Sequence, residues 1–158
     1  MESKTPCASD FGSPAVDSTL ILCIDDDPDV ARAIEIRLRP YKATVLSATY
    51  GMQGFYLAMA QQPDLIITDI NMPQGNGAYV IDCLKQSFET CEIPIVVLSG
   101  RRDDAMKLQL VALGVEACLE KPCRPDELIA AIKKHAILIE SEAALKLVPP
   151  VAEDYDEQ

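Results

Sequence analysis

Tryptophan is absent from the 158 residues, so no change at any site can be followed by its fluorescence. Long apolar runs are absent too. None approaches the roughly 20 residues a bilayer-spanning helix needs, which sets membranes aside. The first eighteen residues, MESKTPCASDFGSPAVDS, have neither a cationic start nor an apolar stretch, so they do not read as a secretory signal. A basic stripe is also missing. The net charge is −11, divided as −2 over residues 1–18, −4 over 19–139 and −5 over 140–158. Nucleic-acid binding needs clustered Lys and Arg, so nucleic acid is set aside as a partner. No pair of the six cysteines (7, 23, 83, 91, 118 and 123) has zinc-ligand spacing with a second pair to match it. With no secretion signal they are expected to be reduced, in a cytoplasmic protein.

What is present is a set of short apolar runs, each ending in a residue with chemistry. Leu65-Ile66-Ile67-Thr68 runs straight into Asp69, and a loop rich in Asn, Pro and Gly follows. An apolar run between turn signals reads as a strand buried on both faces. Leu20 to Ile24 is a second such run and ends in Asp25-Asp26-Asp27-Pro28. Asp27 before Pro28 is an N-cap with proline at the first helical position. Val30, Ile34 and Leu38 then mark one helix face, which Pro40 ends. Ala43 to Ala48 reads as a strand and Gly51 to Gln62 as a helix of small residues. Gly77 opens a helix with Val80, Leu84 and Phe88 on one face. Ile93 to Leu98 is a further strand, ending at Ser99-Gly100. Asp103 and Asp104 begin a helix that turns Met106, Leu110 and Leu113 inward, with Gly114 just past its end. Val115 to Leu119 is the fifth strand, ending in Glu120-Lys121-Pro122. Pro125 and Asp126 start the last helix, with Ile129, Ile132, Ala136 and Ile139 on one face, and nothing before Pro149 clearly stops it.

Strands alternating with helices of about 10–15 residues imply a parallel sheet. Right-handed crossovers leave the flavodoxin-like order 2-1-3-4-5 as the natural one for a doubly wound (βα)5 α/β sheet. That order makes the first and third strands neighbours. It brings Asp25, Asp26 and Asp69 together at the carboxyl edge, with Ser99 and Lys121 on the next two strands. The domain is expected over residues 19–140. A flexible tail precedes it over 1–18, and an acidic tail over 141–158 is expected to follow, with the last helix running on as far as Lys146.

Taken singly, these residues have plain readings. Asp25 and Asp26 could be a cap and a surface residue, Asp69 an Asx turn, Ser99 a turn residue and Lys121 a helix approach. Taken together, they are four strand ends carrying one chemistry. Clustered carboxylates repel by several kcal/mol per pair at an effective dielectric constant near 20. An oxygen-rich set relieves this with Mg²⁺ rather than zinc. Asp69 is then a candidate nucleophile toward a phosphoryl group, with Lys121 and the Ser99 hydroxyl neutralising its oxygens. The backbone carbonyl of Asn71 could complete the shell of a metal held by Asp25, Asp26 and Asp69.

The segments LILCIDDDPDV, LIITDINMPQGNG, VVLSG and LEKPCRPDEL resemble the receiver domain of two-component response regulators, over residues 19 to about 139. The resemblance implies Asp69 as phospho-acceptor, Asp25 and Asp26 as the acidic pair, Ser99 as switch hydroxyl and Lys121 as the conserved-type lysine. It implies Mg²⁺, a phosphohistidine donor on a sensor histidine kinase or phosphotransfer protein, and assisted self-dephosphorylation. With only a dozen residues after Lys146, a single-domain regulator is expected. It would be a monomer or weak dimer that binds a downstream protein target through the fourth helix, fifth strand and fifth helix. A phosphotransfer intermediate or phosphate sink is the alternative. An aspartate-nucleophile phosphatase would want a second Asp two residues after the nucleophile, where this chain has Asn71. Asn71 and Arg101 are expected to tune the phosphoryl lifetime.

The family usually places Tyr or Phe three residues before the lysine, and here that residue is Cys118. Asn76 likewise stands where Asp often precedes the last glycine of the loop. A thiol is too small to act as the rotating aromatic. The response is therefore expected in the loop after Ser99 and the helix beyond it. The rival reading makes Cys118 a redox input, with Cys123.

Overall fold

The computed structural model describes residues 17–72, 75–100 and 103–146. Most of both expected tails, and Arg101, lie outside the described residues.

Five parallel strands form the sheet: β1 (Thr19–Ile24), β2 (Ala43–Ala48), β3 (Leu65–Asp69), β6 (Ile95–Ser99) and β7 (Ala117–Glu120). Their order is β2-β1-β3-β6-β7, which is the expected 2-1-3-4-5 counted along the sheet strands alone. The remaining labels belong to a short antiparallel ribbon, β4 (Asn71–Met72) with β5 (Gly75–Asn76). Two residues per strand are too few to show a period, so the sequence reading had only a loop there.

Strand alternation sorts the core into two layers. Leu22, Ile24, Ile66, Ile95 and Val97 face α2 (Gly51–Gln61), α3 (Gly77–Gln86) and α4 (Asp104–Ala112), and meet Ala58, Val80, Ile81, Leu84 and Leu110. Ile21, Cys23, Leu65, Ile67, Val96 and Leu98 face α1 (Pro28–Leu38) and α5 (Pro125–His135), and meet Ile34, Leu38, Leu128 and Ile132. All five residues of β3 are buried, as a central strand covered on both faces requires. The expected caps are present. Asp27 accepts the Asp29 N–H, and Gly114 takes φ +90° after α4. Asp103, expected inside the first turn of α4, is instead its N-cap and accepts the N–H groups of Ala105 and Met106.

Three expectations need correction. Phe88 is not on the inner face of α3: the helix ends at Gln86 and Phe88 is 94% exposed. The Thr90 hydroxyl donates to the Leu84 carbonyl at 2.7 Å and turns the chain away. The last two strands begin later than expected, at Ile95 and Ala117. Most consequentially, α5 does not run to Lys146. It ends at His135 and Ala136 is extended. The chain then pairs with the segment before β2: the Lys42 N–H donates to the Ile139 carbonyl, and the Ser141 N–H to that of Pro40. Ser141 caps a separate short helix, α6 (Glu142–Leu145). Ile139 is accordingly 40% exposed, and the inner residues of α5 are Leu128 and Ile132.

Candidate functional site

The carboxyl edge of the sheet gathers what the strand ends carry. β1 and β3 are adjacent, with Ile24 opposite Thr68, so Asp25 and Asp69 leave the sheet side by side. Both are buried, at 3% and 7% exposure, while Asp26 points outward. Each of Asp25, Asp26 and Asp69 presents a carboxylate oxygen within 4.8 Å of the other two. The backbone aims two of them. The Asp27 N–H donates to Asp25 Oδ1 at 2.9 Å, and the Asn71 N–H donates to Asp69 Oδ1 at 3.1 Å.

Lys121 arrives from β7. Its Nζ donates to Asp25 Oδ2 at 2.6 Å and to Asp69 Oδ2 at 3.2 Å. Its backbone N–H is tied to the Ser99 carbonyl at 2.8 Å, which sets where the side chain starts. Burial alone would lower the Lys121 pKa, but the two carboxylates outweigh it and hold the ammonium above its ordinary value. Burial pushes the Asp25 carboxyl up, and Asp69 adds to this, against the hydrogen bonds from Lys121 and the Asp27 N–H. Asp25 rises despite its ion pair because it is nearly fully buried, while the Lys121 side chain keeps 27% exposure. Among the described residues one ammonium meets three carboxylates, which leaves this cluster short of positive charge.

Asp69 faces Leu98 across β3 and β6, so Ser99 lies one residue beyond it. Ser99 borders two small cavities. One of about 60 Å³ is lined by Ile70, Asn71, Ser99, Asp103 and Met106. One of about 20 Å³ is reached by Ile70, Ser99, Met106, Leu110 and Cys118 among others. Cys118 is half-buried on the α4 side of β7, and burial pushes its thiol pKa up. A thiol kept protonated is a poor redox entry point. Gly77, read from the sequence only as a helix start, matters more than that. A Cβ there would lie 2.6 Å from the Asp69 carbonyl oxygen and 2.6 Å from Ile70 Cα, so only glycine lets α3 begin against the loop that holds Asp69. Asp103 and Met106, read as a first-turn acid and a core residue, also border the site. Their sequence signal was indistinguishable from structural roles.

The oxygen set fits a hard divalent cation. Its donors are carboxylates, one of them solvent-facing. Among the described residues this is the one group of three or more acidic, His or Cys side chains close enough to share an ion. No helix of the described residues is long and apolar enough to cross a membrane.

Comparisons with known proteins bear on the family and the fold. The family model "Response regulator receiver domain" matches residues 21–133. The transcriptional regulatory protein KdpE of Mycobacterium tuberculosis is 33% identical over 135 residues, covering 85% of this chain and 58% of KdpE. Hybrid signal transduction histidine kinase D of Dictyostelium discoideum is 31% identical over 113 residues, covering 72% of this chain and 7% of the kinase. The chain thus spans little more than half of the first relative and a small part of the second. Among solved structures, Vibrio cholerae chemotaxis protein CheY4 superposes with a TM-score of 0.70 at 23% identity, over 75% of this chain and 98% of CheY4. A response regulator receiver protein from Pseudomonas putida gives 0.69 at 25%, over 76% and 99%. The doubly wound parallel sheet, the acidic edge and the family match lead to one conclusion: this chain belongs to the response regulator receiver domain family of two-component systems.

Proposed function

We propose that this receiver is a phosphorylation-controlled switch with Asp69 as acceptor, and that it works through protein–protein contacts. The observation carrying this is the placement of Lys121, whose ammonium already bridges Asp69 and Asp25. One oxygen of Asp69 is engaged by Lys121 and the other by the Asn71 N–H. The carboxylate is thereby held in one orientation at the sheet edge.

The donor is a phosphohistidine on a sensor kinase or phosphotransfer protein. An Asp69 oxygen attacks phosphorus, the P–N bond breaks, the imidazole leaves with a proton, and an acyl phosphate remains. Mg²⁺, held by Asp25, Asp26, Asp69 and the Asn71 carbonyl, would supply the counter-charge that lets an anionic carboxylate approach an anionic phosphoryl group. Lys121 stays against the new phosphoryl oxygens, and Ser99 gives them a hydroxyl donor. The same cluster, with water in place of imidazole, assists the return reaction.

The test uses acetyl phosphate and Mg²⁺ with intact-mass detection. Wild type gains one acid-stable, base-labile phosphoryl group. Equal uptake by Asp69→Asn would place the acceptor elsewhere and overturn the reading.

A further inference from the structure

We infer that Met106 of α4 is the side chain that takes up the space behind Ser99 when Asp69 carries a phosphoryl group, the part for which β7 offers only Cys118. The inference rests on the reading of Asp69 as acceptor and adds how the change leaves the site.

The two small cavities share Ile70, Ser99, Asp103 and Met106 in their walls. Ser99 therefore stands between Asp69's edge of the sheet and space that is already incompletely filled. A phosphoryl group brings roughly two negative charges and three acceptor oxygens, which draw a neighbouring hydroxyl toward it. Ser99 moving that way enlarges the space it leaves. Packed interiors resist such gaps, because lining atoms lose their contacts. Something must follow the hydroxyl, or water must enter.

The wall residues differ in what they can do. Ile70 is 5% exposed and Leu110 1%, both already packed into the core. Cys118 ends one atom past Cβ and has no reach. Met106 is half-buried, unbranched and has three rotatable bonds, so it can extend into an irregular gap by rotamer change. Its backbone is held by Asp103, whose Oδ1 accepts the Met106 N–H at 3.3 Å. The side chain can move while the first turn of α4 stays anchored, or it can pull that turn along. In either case the exposed surface of α4 changes.

The chain has five methionines, so their methyl groups can be isotope-labelled and followed by NMR in the full protein. Met106→Leu assigns the Met106 signal. With Mg²⁺ and acetyl phosphate, and phosphoryl content measured by mass in the same sample, the Met106 methyl shifts. Met72, three residues from Asp69, reports the added charge itself and shifts as well. At equal phosphoryl content, Ser99→Ala keeps the Met72 shift and loses that of Met106. Cys118→Leu, which fills the small cavity from β7, also holds Met106 still. A fully phosphorylated wild type with an unmoved Met106 methyl would overturn the inference while leaving the switch intact. So would an undiminished Met106 shift in phosphorylated Ser99→Ala. No phosphoryl gain in wild type would overturn the switch reading and this inference together.

Discussion

At the amino edge of the sheet Lys85 meets Glu116 at 3.2 Å, and at the carboxyl edge Lys121 meets Asp25 at 2.6 Å and Asp69 at 3.2 Å. The pairs are alike in kind and unlike in completeness. Glu116 accepts Lys85 on one oxygen and the Ile95 N–H on the other, at 2.6 Å. Lys85 also donates to the Ile93 carbonyl at 3.1 Å. One cation meets one anion, and backbone groups take up remaining capacity. At the other edge, among the described residues, one cation faces three carboxylates, two of them buried. The first arrangement ties the α3–β6 connection to the segment before β7. The second holds charge that needs a further positive partner. The same kind of ion pair is a staple where the charges balance, and a candidate cation site where they do not.

That comparison is tested most severely by exchanging the readouts. Asp69→Asn should abolish phosphoryl uptake while leaving a folded protein. Glu116→Gln should leave uptake at the wild-type level. Uptake in the first, or its loss in the second with the fold intact, would erase the distinction between the edges.

The staple should show in stability instead. Glu116→Ala leaves the Ile95 N–H without its acceptor and the partly buried Lys85 ammonium with backbone carbonyls but no counter-charge from Glu116, which costs about 1–3 kcal/mol. The midpoint of urea unfolding should fall at unchanged slope, and Mg²⁺ should not restore it. A midpoint within error of wild type would mean that the staple contributes nothing.

How much of this was legible in the chain follows the range of the forces involved. β1, β3 and the core of β6 are apolar runs, and each announces its own end with Asp25, Asp69 or Ser99. Chain handedness then settles the strand order, so the site assembled itself on paper. The staple did not, because Lys85 and Glu116 are 31 residues apart and each reads as an ordinary surface charge. The end of α5 is hidden for a similar reason. Residues 136–139 keep a helical spacing of apolar side chains, but hydrogen bonds from Lys42 and Ser141 to distant carbonyls decide their backbone. The space around Ser99 was invisible too, since a cavity belongs to no single segment.

A sharper contrast comes from removing charge at the carboxyl edge. Asp25 has its carboxyl pKa raised by burial, so its ionised form is a liability at neutral pH in the metal-free protein. A raised carboxyl contributes stability that is fully present below its unfolded value and is lost as pH rises through the folded one. Asp25→Asn should therefore stabilise the metal-free fold at pH 7, by on the order of 1 kcal/mol. Its amide oxygen can still accept from Lys121. The same variant should lose most of the Mg²⁺-dependent rise in melting temperature expected of wild type at millimolar metal. The substitution of Glu116 destabilises at one edge, and this one stabilises at the other. A destabilised Asp25→Asn would show that the carboxyl edge is also a staple.

The smallest expected effect separates the two roles of Lys121. Its ammonium sits where positive charge is short, so it relieves the carboxylates and competes with any metal they hold. Lys121→Ala should tighten Mg²⁺ binding about two- to fivefold, which is roughly 0.4–1 kcal/mol at 1.4 kcal/mol per tenfold. It should also lower metal-free stability, because Asp25 and Asp69 then lose the counter-charge that Lys121 supplies. The sign with pH follows from the raised Lys121 pKa. A raised lysine contributes stability that is present below its unfolded value, about 10.4, and is lost as pH rises through its folded value. The stability difference between wild type and Lys121→Ala should therefore be constant through neutral pH and shrink above about pH 10.5. Other lysines titrate in both proteins and cancel in the difference. Unfolding curves at neutral and alkaline pH, each with and without Mg²⁺, measure both effects. A difference that persists undiminished at high pH would mean that Lys121 acts by packing its stem and not by its charge. Unchanged Mg²⁺ affinity would mean that the ion and the ammonium do not share the carboxylates.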